Sequence, residues 1–149
     1  MNTPKSKTQN LERNPTITQH PAVTSWKEVW KLAHSAVLRI YEITKGFPIE
    51  ERYRLIDQLC RAAASVPANI AEGKGRSSLK EYLQFLSIAR GSVEEVKYFL
   101  LLARDLKYLE QQDYEGIVND YDRVGKMLNG LMSSLRTHLP VTRNPAPKT

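Results

Sequence analysis

Four stretches with apolar residues at helical spacing, separated by short punctuation, fill the middle of this chain. Trp26, Val29, Trp30, Ala33, Val37, Ile40, Tyr41 and Thr44 fall largely three or four residues apart, which predicts a first helix with one mostly apolar face, closed by Gly46. Pro48 suits the first turn of a second helix, where its missing N–H is not needed, and Glu50 and Glu51 complement the helix dipole there. This second helix is expected to reach about Ala71, with Gly73 and Gly75 supplying the turn after it. Ser78 followed three residues later by Glu81 reads as a capping box opening a third helix. Its positions Tyr82, Leu86, Ala89, Val93, Val96, Leu100 and Ala103 alternate steps of four and three, the spacing of a bundle seam. A fourth helix is expected from near Asp113, burying Tyr114, Ile117, Val118, Tyr121, Val124, Leu128, Leu131, Met132 and Leu135. With no strand pattern and no internal repeat, the short connections favour an antiparallel, up-down four-helix bundle over residues 25–137.

Three features depart from this regular pattern. Pro67 sits where the second helix should be continuous. It has no N–H for the carbonyl of Ala63 and its ring crowds that turn, at a cost of roughly 3 kcal/mol, so a kink is expected. Ser65 and Asn69 are placed to bond the freed backbone, and Arg61 and Glu72 flank the site as candidates for an ion pair or a backbone bond closing it. Ala62, Ala63, Ala64, Ala68 and Ala71 leave room for a neighbouring helix. On the third helix a second apolar stripe, Phe85, Ile88, Phe99 and Leu102, lies off the seam and is assigned to a subunit interface, with burial inside the subunit as the competing reading. Gly116, Gly125 and Gly130 each weaken the fourth helix by roughly 1 kcal/mol relative to alanine, which points to close-packed neighbours.

Composition narrows the functional classes. The 149 residues, 41% of them hydrophobic, suit one domain with a compact core. The apolar run from Tyr98 to Ala103 is too short for a membrane span, and the first residues lack the apolar segment of a secretion signal, so a cytoplasmic protein without a membrane partner is expected. Residues 1–24 and 138–149, rich in Pro, Asn and Thr, read as disordered tails whose Lys5, Lys7, Arg143 and Lys148 are either mobile arms for RNA or merely solubilising. Cys60 stands alone among apolar residues and reads as a small hydrophobe. His20, His34 and His138 have no metal-ligand spacing, and Ser77 to Lys80 forms a Ser-x-x-Lys pattern without its companion motifs. No catalytic residue, metal or cofactor is therefore expected, and the chain is read as non-enzymatic.

Charge supplies the positive candidate. Lys and Arg total 22 against 16 Asp and Glu, a formal net of +6, four of which come from the tails. Within the core, Arg52, Arg54, Lys74, Arg76, Lys80 and Arg90 are the candidate nucleic-acid contacts, whereas the stretch from Asp105 to Asp122 carries six acids against Lys107 alone. Lys74 and Arg76 alternate with glycines beside a helix start, an arrangement that attracts phosphate and that equally describes a solvated, well-capped turn. Trp26, Trp30 and Tyr41 at helical spacing are read as core ahead of base-stacking surfaces.

The segments Phe47 to Tyr53, Ser65 to Gly73 and Tyr82 to Ser92, in that order, resemble the four-helix-bundle family of the 23S rRNA intervening-sequence protein. The resemblance spans about Ser25 to Thr137 and implies an all-helical subunit, a homopentamer and no enzymatic activity. It extends to the accessory variability proteins of diversity-generating retroelements, which implies, as the alternative function, an adaptor for a reverse transcriptase and its RNA. The leading expectation is a ring-like homo-oligomer that binds RNA or an RNA–protein complex through basic surfaces repeated around the ring, so that weak patches act together.

Overall fold

A computed structural model describes residues 25–139; the tail residues named above, Lys5, Lys7, Arg143 and Lys148 among them, lie outside the described residues. The described residues form four α-helices: α1, Trp26–Thr44; α2, Leu55–Lys74; α3, Leu79–Asp105; and α4, Gln111–Arg136. No strand occurs among the described residues. Each helix packs only on its two neighbours in a closed circuit, α1 on α2, α2 on α3, α3 on α4 and α4 on α1, with α2 and α3 in the most extensive contact. Pairs between α3 and α4 fix the direction: Ser87 meets Met132, Arg90 meets Asn129 and Lys97 meets Asp122, so rising numbers on one helix meet falling numbers on the other. The result is the antiparallel up-down bundle expected from the short connections.

Local chemistry explains where the helices start. Ser25 Oγ accepts the Glu28 N–H at 3.3 Å and Ser78 Oγ accepts the Glu81 N–H at 3.1 Å, each supplying a partner to one orphan donor of a first turn. The second helix begins later than expected. Pro48 leads into a short 3-10 turn, Ile49–Glu51, and α2 opens only at Leu55. Glu51 does act on the α2 N-terminus, but from outside the helix: its buried carboxylate accepts the Leu55 N–H at 3.2 Å and, through its other oxygen, the Tyr108 hydroxyl at 3.2 Å. One acid thereby caps α2 and ties down the α3–α4 connection.

That connection has its own device. Lys107 adopts φ 63°, and the N–H groups of Lys107 and Tyr108 donate to the carbonyls of Arg104 and Ala103, each at 2.9 Å. This double bond pattern ends a helix in a left-handed residue, a position usually held by glycine.

The core follows the sequence pattern closely. All seven seam positions of α3 are buried, as are Ile117, Tyr121, Val124, Leu128, Leu131 and Met132 of α4, whereas Tyr114, Val118 and Leu135, expected on the same α4 face, are only partly buried. On α1, Trp26 and Trp30 are partly buried and Tyr41 is 53% exposed, because its neighbour Ile40 takes the core position.

Two further expectations for α2 change. Gly73 is not part of a turn; it is buried in the last turn of α2, where an added Cβ would stand 2.7 Å from Phe85 Cβ and 3.0 Å from the Tyr82 ring. Its missing side chain is what lets α2 and α3 approach there. At Pro67, α2 runs on as one helix from Leu55 to Lys74. Asn69 Nδ2 donates to the Ser65 carbonyl at 2.7 Å and to Ser65 Oγ at 2.9 Å, and Ser65 Oγ meets Ser92 Oγ of α3 at 2.9 Å. The side-chain bond thus reaches the carbonyl of Ser65, not that of Ala63 opposite the proline. Arg61 and Glu72 do not pair across this site: Arg61 binds Asp57 at 3.0 Å and Glu72 binds Arg76. Of the three α4 glycines only Gly116 has a close neighbour, the flexible end of Arg39; Gly125 has ordinary contact with Val93 and Gly130 faces open space.

Candidate nucleic-acid interface

Helix length separates the six candidate cations. Lys74, Arg76 and Lys80 surround the α2–α3 turn, whereas Arg52 and Arg54 precede the opposite end of α2, whose 20 residues span about 30 Å at 1.5 Å per residue. They do not form one patch. Arg90 stands 11 residues into α3 and donates to Asn129 Oδ1 of α4 at 3.3 Å.

The turn cations are tied to the aromatic residues that open α3. The Arg76 guanidinium lies 4.6 Å from the centre of the Phe85 ring and pairs with Glu72, and Lys74 Nζ lies 5.9 Å from the Tyr82 ring centre. Both side chains remain exposed, so these contacts hold the cations over the α2–α3 crossing without removing them from solvent. Phe85 is therefore half-buried inside the subunit, under Arg76 and against Gly73, and Phe99 and Leu102 pack partly on the core. Of the expected interface stripe only Ile88 is largely exposed, at 52%. Tyr98, which opens the apolar run to Ala103, is also exposed, as is Leu106 just past the end of α3.

Sorting charges by their position along the bundle shows what counting along the chain hides. The topology places the α1 N-terminus, the α2–α3 turn and the α4 C-terminus at one end, and the α1–α2 and α3–α4 connections at the other. When each helix is divided at its middle, the half containing the α2–α3 turn holds eight cations against three acids, and the opposite half nine against twelve. Pairing sharpens the contrast. In the acid-rich half Arg39 binds Asp120 at 2.8 Å, Lys97 binds Asp122 at 2.7 Å, and Lys45, Arg54, Arg61 and Arg104 pair with acids on their own helix or turn. In the other half, among the described residues, Arg76 alone pairs with an acid. The Asp122 bond and the nearby Glu94 hold the Lys97 ammonium above the usual lysine range, against the opposing effect of its burial.

Two clefts accompany these surfaces. One of about 400 Å³ runs between α3 and α4 and is lined by Arg90, Gly91, Gly125, Lys126 and Asn129 among others. A mostly apolar one of about 580 Å³ lies beside the α1–α2 connection, between Tyr41, Phe47, Ile49, Arg52 and Ile56. His34 stacks on Trp30, with ring centres 5.1 Å apart, and Cys60 is half-buried beside Thr44, its thiol pushed upward first by burial. Among the described residues no cluster of His, Cys, Asp and Glu is arranged for a metal ion, and no helix is long and apolar enough to cross a membrane.

A family model for the 23S rRNA-intervening sequence protein matches residues 27–130, which takes in α1, α2, α3 and most of α4. The chain belongs to this family. The match covers the α2–α3 turn, Arg90 and Lys126, and leaves Arg136 beyond its end. Among solved structures the fold is similar to a protein of unknown function from the S23 ribosomal protein family of Bacteroides thetaiotaomicron, at TM-score 0.68 and 26% identity, over 72% of this chain and 97% of that one. No curated protein is similar enough to count as a match.

Proposed function

We propose that this family member is a non-enzymatic, RNA-associated protein that assembles as a ring-like homo-oligomer, a pentamer in the leading reading. The carrying observation is the exposed cationic turn of Lys74, Arg76 and Lys80 at the α2–α3 crossing, in a family named for an insertion in 23S rRNA. Each subunit contributes a weak patch; copies aligned around a ring engage one polyanion together, and effective concentration raises avidity without a new kind of contact. A bend of α2 at Pro67 belongs to the same proposal, as the adjustment that seats α2 against α3. So does an interface on α3 at Ile88, since an exposed apolar side chain on a helix of the bundle surface fits a subunit contact.

The same apolar side chain favours the second reading, an adaptor whose main partner is a protein such as a reverse transcriptase, of the kind found in diversity-generating retroelements. There charge steers association and the apolar surface carries affinity. Light-scattering mass with and without a structured RNA, at low and raised salt, separates the two. A pentamer-sized mass that takes up RNA at low salt and releases it at raised salt supports the first reading. An oligomer that ignores RNA overturns it in favour of the second, and a monomer overturns the ring.

A further inference from the structure

We infer that the RNA-contacting surface is the whole basic half of the bundle, in which the second half of α4 and the start of α1 join the α2–α3 turn; this rests on the RNA-associated reading above. The topology alone brings these segments together. In this half α1 supplies Lys27 and Lys31, and α4 supplies Lys126 and Arg136, which lie about 15 Å apart on the helix rise. The turn adds Lys74, Arg76 and Lys80, and Arg90 stands at the α3–α4 cleft that Lys126 also lines.

Three observations carry the inference. The basic half holds a net charge of +5 and the opposite half −3, so a polyanion is drawn to one end of each subunit and repelled from the other. From Arg123 to Arg136, α4 has no acid at all, whereas its first turns carry Asp113 and Glu115. Only Arg76 of the basic half is bound to a carboxylate among the described residues, so seven cations are available to phosphate, while six of nine in the other half already face acids. Arg52 and Arg54 fall outside this surface: they stand at the acid-rich end, beside Glu50 and Glu51. Contacts of this kind go to the backbone of the nucleic acid and carry no sequence preference.

The test uses the full chain and a 20-nucleotide polyuridine strand, with affinity measured from 0.05 to 0.3 M salt. Neutralising one phosphate contact changes the slope of log K against log salt by about 0.7 for a single strand. Lys126→Gln with Arg136→Gln is expected to lower the slope by about 1.4, and affinity at 0.1 M salt by about 25-fold on that relation, with helicity unchanged. Lys45→Gln with Arg61→Gln removes the same charge from the acid-rich half and is expected to leave the slope as it is and affinity within about twofold. If the wild type binds and the α4 pair matches it, or the two pairs weaken binding equally, the surface assignment is overturned while the RNA-associated reading stands. If the wild type does not bind at any salt, both are overturned.

Discussion

Replacing Gly73 by alanine tests whether the α2–α3 crossing depends on a missing side chain. The new Cβ would stand 2.7 Å from Phe85 Cβ, closer than side-chain carbons approach, and Phe85 Cβ is anchored directly to the α3 backbone and cannot swing away. Part of α2 or α3 must therefore shift, and forcing a methyl group into a packed site costs about 1–3 kcal/mol. Alanine recovers at most about 1 kcal/mol of helix propensity, less in a final turn, so the net expectation is a loss of about 1–2 kcal/mol. Gly91→Ala is the matched comparison, because its Cβ meets nothing within 4 Å. That variant is expected to gain up to about 1 kcal/mol from propensity alone. Urea unfolding followed by circular dichroism, at one protein concentration so that assembly does not shift the midpoints, reads both. A Gly73→Ala protein as stable as wild type would refute the claim that close approach at this glycine sets the helix spacing.

Three other substitutions probe separate devices. Tyr121 is fully buried and its hydroxyl has no partner among the described residues, so Tyr121→Phe is expected to gain about 1 kcal/mol in the same urea assay; a loss of that size would mean the hydroxyl is bonded. Burial and then the nearby Asp120 hold its phenol well above the ordinary tyrosine range, so the protonated form is favoured on folding and its contribution is complete below the unfolded value near pH 10. That contribution disappears as pH rises beyond it, and the Tyr121→Phe protein should lose less stability than wild type between about pH 10 and 11. Glu51→Ala leaves the Leu55 N–H and the Tyr108 hydroxyl without their acceptor and is expected to cost about 1–3 kcal/mol, read as a lower urea midpoint. Lys107→Gly removes a side chain from a left-handed residue and should raise thermal stability by about 1 kcal/mol; an unchanged or lower melting temperature would show that the lysine is not strained there.

Periodicity sufficed for the class of fold and most of the core, because burial in a bundle selects one face of each helix and that selection is written into residue spacing. The α3 seam and the α4 face were both legible in this way. The register of short polar segments was not. Whether Pro48 opens a helix or a 3-10 turn depends on Glu51 reaching Leu55 and Tyr108, and the second of these partners lies 57 residues away. Gly73 and Gly75 look alike in sequence, yet only Gly73 faces Phe85. The turn after α3 carried no signal because lysine stands where glycine usually does.

The sequence by itself determined an all-helical subunit, the faces of its helices, and a mild positive charge, since these follow from local spacing and composition. Only the tertiary structure decided which charges share a surface. Arg52 and Lys74 belong to one run of cations along the chain but stand at opposite ends of α2, whereas Lys31 and Lys126, nearly a hundred residues apart, lie in the same half of the bundle. An antiparallel bundle superimposes the ends of alternate helices, and electrostatic fields add by distance in space and not by distance along the chain.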